Sequence, residues 1–158
     1  MGESNGKNPI KQLLDAGQSV WQDDISRDMI SSGLLSQRIE EVGIRGVTSN
    51  PTIFQKAISS GDAYDEEIAK LLGTNMDVAE VFQTLAVKDI QDACDLFRPV
   101  YDESDGEDGF VSLEVLASLA RDTEGTLANA RALWKAVDRP NLMIKVPGTD
   151  EGAAAIQT

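Results

Sequence analysis

The chain has 158 residues, 41% apolar and 26% charged, which is ordinary for a globular protein and enough for one hydrophobic core. Its net charge of −13 argues against nucleic acid as a partner, because that binding rests on Lys and Arg meeting phosphates. The absence of histidine removes the commonest general base and the commonest metal ligand, so any chemistry must run on carboxylates, lysine, hydroxyls and amides.

No run approaches the roughly 18 to 20 apolar residues that a membrane helix needs, so no membrane association is expected. Residues 1–8 contain no apolar core that could serve as a signal peptide. The single cysteine, Cys94, cannot form an internal disulfide, and the cytoplasm is the expected compartment.

In chain order, the first β-like run is residues 19–23, ending on Asp23. Apolar residues at helical spacing follow from Ile25 through Leu34 and Leu35 to Ile39 and Val42. A second run, residues 43–50, is stopped by Pro51. Helical patterns then cover 63–72 and the stretch from Val78 through Ile90 and Ala93 to Phe97. Asp77 is the expected N-cap of that second helix, with Glu80 completing a capping box. Cys94 falls on its apolar face and reads as core. The acidic residues 102–108 read as a solvated loop, because their spacing departs from an EF-hand. A third run, residues 109–115, precedes an amphipathic helix that opens at Asp122 and extends to Trp134. The fourth run, residues 142–146, is stopped by Pro147 and Gly148, and residues 150–158 read as the first turns of a helix.

Strands alternating with helices imply βαβ units and a parallel sheet. Either an open doubly wound sheet or part of a (β/α)8 barrel fits. The lack of a Gly-x-Gly-x-x-Gly or Walker-type loop after any strand weighs against the nucleotide-binding version. A (β/α)8 barrel runs to about 250 residues. The expectation is therefore an α/β chain covering about the first four βα units of such a barrel, residues 1–158 being the N-terminal part of a single barrel domain.

Side chains on a strand alternate faces, so each run carries a polar group toward its C-terminal end on a face that all four can share. Trp21 and Asp23 lie together on the first run, and Gly46, Thr48 and Asn50 on the second. Phe110, Ser112 and Glu114 share a face of the third, and Met143 and Lys145 of the fourth. Barrel enzymes build their active sites at that end. Lys145, between Ile144 and Val146, is either a strand-end lysine reaching for solvent or a nucleophilic amine. A neutral lysine amine attacks a carbonyl to give a carbinolamine and then an iminium, which draws electrons from an adjacent C–C bond. Asp23 is a proton-transfer candidate or else a helix cap. Glu114 needs a partner in an apolar strand, and Lys145 is the obvious one. Asn50, held extended by Pro51, either binds a substrate hydroxyl or satisfies a turn.

The segments carrying these residues, taken together, resemble the transaldolase family. Arg45-Gly46-Val47-Thr48-Ser49-Asn50-Pro51-Thr52-Ile53-Phe54 resembles its second-strand motif, and Gly109-Phe110-Val111-Ser112-Leu113-Glu114-Val115 its third. Asn141-Leu142-Met143-Ile144-Lys145-Val146-Pro147-Gly148-Thr149 is similar to the segment with the Schiff-base lysine. Val20-Trp21-Gln22-Asp23 is similar to the first-strand segment with the proton-transfer aspartate.

The resemblance implies a barrel of the class I aldolase type, with Lys145 forming the imine, Asp23 transferring protons and Glu114 positioning the catalytic water. It implies Asn50 as a binder of substrate hydroxyls, no metal or other cofactor, and a place in the non-oxidative pentose phosphate pathway. The implied reaction moves a dihydroxyacetone unit from a ketose phosphate, such as sedoheptulose 7-phosphate or fructose 6-phosphate, to an aldose phosphate. Phosphate-binding basic residues are expected beyond the fourth strand. Two rivals are a fructose-6-phosphate aldolase-like lyase that releases the aldehyde and a catalytically inactive half-barrel. Open first and fourth strands make self-association a further expectation.

Overall fold

In the computed structural model, which describes residues 8–158, four short parallel strands stand side by side in chain order. They are β1 (Trp21–Gln22), β2 (Gly46–Val47), β3 (Phe110–Glu114) and β4 (Leu142–Lys145). Every pairing is parallel: Trp21 opposite Gly46, Gly46 opposite Phe110, and Glu114 opposite Lys145. Each crossover contains helix. Between β1 and β2 come α2 (Arg27–Ser31) and α3 (Leu34–Gln37), and between β2 and β3 come α4 (Pro51–Ser59), α5 (Asp65–Leu72) and α6 (Val78–Glu103). α7 (Thr123–Val137) joins β3 to β4, α8 (Asp150–Ile156) follows, and α1 (Pro9–Asp15) precedes the sheet. Consecutive parallel strands with helical crossovers are the staves of a (β/α)8 barrel in sequence order. The described residues are thus four consecutive βα units, and β1 and β4 stand at the open edges.

The period-two alternation sorts the two faces as the residue pattern requires. Val47, Val111, Leu113, Val115 and Leu142 are buried beneath Ile90, Cys94 and Phe97 of α6 and Leu133 and Val137 of α7. On the opposite face Met143 is 41% exposed. Asn141 ties the two layers at the bottom of β4. It is fully buried, and its Nδ2 donates to the Cys94 and Gly109 carbonyls, both at 2.9 Å.

α6 begins as its sequence dictates, with the Asp77 carboxylate accepting from the Glu80 N–H and Glu80 Oε2 from the Asp77 N–H. It runs further than the apolar spacing indicates, through Pro99 to Glu103, so Asp102 and Glu103 are helical rather than loop. The remaining acidic residues form the turn that returns to β3, with Asp105, Gly106 and Gly109 all at positive φ.

Two other departures have local causes. The apolar spacing from Ile25 to Val42 is not one helix. It breaks at Ser32 and Gly33, where Gly33 adopts φ +80, and α3 continues as a π-helical turn, Arg38–Val42. α1 and α4 are absent from the periodicity, yet each begins with an Asn N-cap followed by Pro in the first turn. The signal-peptide reading of residues 1–8 falls, for residues 1–7, outside the described residues. No helix among the described residues is long and apolar enough to cross a membrane.

Gly46 packs directly against the Trp21 ring and the β3 backbone. A Cβ there would sit 2.5 Å from the Trp21 ring and 2.9 Å from the Phe110 carbonyl oxygen. Gly46→Ala should therefore lower stability by about 1–3 kcal/mol, the scale of overpacking, as read from the denaturation midpoint. An unchanged midpoint would mean that the Trp21 ring moves aside without cost.

Candidate active site

The C-terminal ends of the strands bring together the side chains that the alternation singled out. Because Glu114 and Lys145 are register partners on adjacent parallel strands, their side chains rise from the same face side by side. The Lys145 Nζ lies 2.9 Å from Glu114 Oε2 and donates to the Ser49 carbonyl at 3.1 Å. The lysine thus neither runs freely into solvent nor is sealed from it: its side chain is 41% exposed and that of Glu114 21%. The amine is held between a carboxylate and a backbone acceptor with one side open to an incoming carbonyl.

Ser49 is fully buried, and its hydroxyl donates to the Ser112 carbonyl at 2.6 Å. This bond fixes the segment after β2 against β3 and so aims the Ser49 carbonyl at the amine. Ser112, two residues below Glu114, is also buried, and its hydroxyl has no hydrogen-bond partner among the described residues.

Asp23 follows β1 directly and is exposed. It does not cap the next helix, because Ser26 does so by accepting from the Met29 N–H at 3.2 Å. Its carboxylate instead accepts a short hydrogen bond from the Thr48 hydroxyl. The Thr48 N–H donates to the Gln22 carbonyl at 2.9 Å, extending the β1–β2 pairing to the level of Asp23. Asp23 and Glu114 line one surface cleft together with Asn50 and Lys56, so Lys145 is joined to that cleft through its ion pair.

Asn50 satisfies the turn, one of the two readings that its position allows. Its Oδ1 accepts from the Ile53 N–H at 2.9 Å and caps α4, its Nδ2 has no hydrogen-bond partner among the described residues, and the residue lines the cleft. Sequence reasoning placed Thr48 on the correct face without giving it a role. It missed Ser49 altogether, since the interacting group is a backbone carbonyl with no residue signature. Cys94 is fully buried in α6, and burial pushes its thiol up to about 12, with Asp95 adding to the shift, so it is no nucleophile. Among the described residues no group of three or more His, Cys, Asp or Glu is arranged to hold a metal ion.

Residues 20–158 match the model of the transaldolase/fructose-6-phosphate aldolase family. A transaldolase of Thermobifida fusca (strain YX) is 54% identical over 149 residues, which are 94% of this chain and 40% of that protein. A transaldolase of Thiobacillus denitrificans is 48% identical over 151 residues, 96% of this chain and 42% of that protein. One of Mycobacterium bovis (strain BCG) is 48% identical over 151 residues, 95% of this chain and 40% of that protein. The chain spans about two fifths of the length of these curated relatives.

The capping role of Asn50 can be tested by stability alone. Asn50→Ala removes the cap of α4 and should cost about 1 kcal/mol. Asn50→Ser retains a capping oxygen while deleting the amide N–H₂, and should melt within a few tenths of a kcal/mol of the parent. Equal losses in both variants would contradict the capping geometry.

Proposed function

The chain belongs to the transaldolase/fructose-6-phosphate aldolase family, and from that premise we propose that it carries the Schiff-base machinery of a transaldolase acting on sugar phosphates. What carries the reading is the Lys145–Glu114 pair at the C-terminal end of adjacent parallel strands, with Asp23 and Asn50 at the same cleft.

In this proposal the unprotonated Lys145 amine adds to C2 of a ketose phosphate. The carbinolamine loses water and leaves an iminium bonded to Nζ. Asp23 takes the proton from the C4 hydroxyl as the C3–C4 bond breaks. The bonding pair moves onto the iminium to give an enamine, and an aldose phosphate departs. A second aldose phosphate then accepts the enamine carbon and receives the proton back from Asp23. Water positioned by Glu114 hydrolyses the new iminium, releasing the product ketose and regenerating the amine. The Thr48 hydroxyl keeps the Asp23 oxygen directed at the cleft, and the Asn50 Nδ2 has the position to hold a substrate hydroxyl. Dihydroxyacetone transfer is preferred over simple release of the aldehyde because the curated relatives are transaldolases.

The 158 residues are proposed to be the N-terminal part of one barrel domain, with the phosphate-binding residues supplied by later strands, and to work in the cytoplasm within the non-oxidative pentose phosphate pathway. Chain order of the strands and the share of each relative that is covered support the first point. The unpaired cysteine supports the second.

In a protein extended to the relatives' length, borohydride with a ketose phosphate should trap a covalent adduct at Lys145, located by peptide mapping. An adduct at Lys56 or Lys135 instead would remove the assignment. Glu114→Gln and Asp23→Asn should each lower turnover by roughly 10²-fold, the usual scale for a positioned proton-transfer group. Near-normal turnover in both would refute their roles.

The isolated 158 residues should self-associate, because β1 and β4 each present an unpaired edge and Met143 lies exposed on the inner face. Sedimentation should show species larger than a monomer, and a single compact monomer would contradict this.

A further inference from the structure

Asp23 lies just beyond a very short strand. β1 has two residues, and α2, which follows, has only five residues and ends at the Ser32–Gly33 break. A helix of that length does not hold itself in water. Yet a proton-transfer group must be placed to within a fraction of an ångström. Something outside the strand must therefore fix the segment from Asp23 to α2.

That anchor is Arg27, the first residue of α2. Its backbone N–H donates to the Tyr64 hydroxyl at 3.0 Å. Its Nε donates to Asp89 Oδ1 at 2.8 Å and its Nη1 to Glu67 Oε2 at 2.5 Å, while the guanidinium lies over the Tyr64 ring, 4.4 Å from its centroid. The Tyr64 hydroxyl in turn donates to Asp89 Oδ2 at 2.7 Å. Asp89 and Tyr64 are each only 1% exposed, so every oxygen of the Asp89 carboxylate is committed to this network inside the protein. Burial pushes the Asp89 carboxyl up, and the hydrogen bonds from Tyr64 and Arg27 pull it back down. The long α6, already fixed to β3 and β4 through the core, thereby grips the β1–α2 connection by a charged clasp.

We propose that Arg27, through Asp89 and Tyr64, is a positioning residue for Asp23, so that the clasp on the outside of the sheet sets proton transfer at its C-terminal end. The inference rests on the proposed role of Asp23. Three features separate it from simple stabilisation. The clasp attaches only four residues beyond Asp23. It closes on the backbone as well as the side chain of Arg27. The segment between, Asp24 to Ser26, is held otherwise by the Gln22 amide on the Asp24 carbonyl, by Ile25 in the core and by the Ser26 cap.

A double-mutant cycle of Arg27→Lys and Asp23→Asn, in a protein extended to the relatives' length, tests it. Lysine keeps a charge for Asp89 but cannot reproduce the fork that spans Asp89 and Glu67. Arg27→Lys should lower turnover by about 10- to 100-fold, the scale of a misplacement near 1 Å. Borohydride trapping at Lys145 should stay within about twofold, since imine formation precedes the step that Asp23 serves. In the Asp23→Asn background Arg27→Lys should cost almost nothing further, as expected of groups acting as one unit. Tyr64→Phe, which deletes only the hydroxyl, should show the same pattern more weakly and serves if Arg27→Lys fails to fold. Multiplicative losses, or trapping that falls in step with turnover, would reduce the clasp to a stability element and overturn the proposal. Unchanged turnover in Asp23→Asn itself would instead refute the role of Asp23.

Discussion

The contact between Lys145 and Glu114 depends on register more than on either residue alone. The two are opposite one another on β4 and β3, and the same pairing carries Ser112 against Met143 and Leu113 against Ile144. A slip of one residue in β4 would turn the lysine into the helical layer and bring Ile144 to the cleft, and a slip in β3 would turn Glu114 away. The register is held from below by Asn141, whose buried amide joins the start of β4 to α6 and to the residue before β3. It is held from the outer face by Val111, Leu113 and Leu142 under α6 and α7. The ammonium then meets a third strand, because the Ser49 hydroxyl ties the end of β2 to Ser112 and turns its own carbonyl toward Nζ. Three strands thus converge on one amine, each through a different kind of bond.

The rest of the cleft is built from segments that leave their strands immediately. Asp23, Thr48 and Asn50 all lie beyond the last paired residue of β1 or β2. Such positions gain freedom to face a ligand and lose the backbone ladder that would immobilise them. The structure replaces that ladder with side-chain bonds: Thr48 to Asp23, Asn50 to the first turn of α4, and Arg27 to the α5–α6 pair.

Much of this was legible in the residues. Alternation alone placed Asp23, Glu114 and Lys145 on a common face, and the Asp77 to Glu80 spacing announced α6 correctly. Glu114 between Leu113 and Val115 demanded a cation, and Lys145, the obvious choice from the residues, is the one the fold supplies. α4 escaped because Pro51 was read as the stop of a strand, when the same residue also opens the helix behind an Asn cap. The helical spacing from Ile25 to Val42 holds, but the break at Gly33 did not show in it, since apolar spacing is blind to a single positive φ. Ser49 and the Arg27 clasp were invisible for a different reason. Their partners lie 96, 62 and 40 residues away in the chain for the Ser49 carbonyl, Asp89 and Glu67 respectively, and no local period encodes such pairings.

The most direct measurement is a crystal structure of the borohydride-reduced adduct with fructose 6-phosphate, in a protein extended to the relatives' length. The expected density runs continuously from Lys145 Nζ to C2 of the sugar. The Asp23 carboxylate should lie within hydrogen-bond distance of the hydroxyl on the carbon beyond the scissile bond, and Glu114 should stand beside Nζ with room for one water. Density that joins the sugar to another lysine, or an adduct at Lys145 with Asp23 turned away from the substrate, would contradict the assignment of this cleft as the site of Schiff-base chemistry.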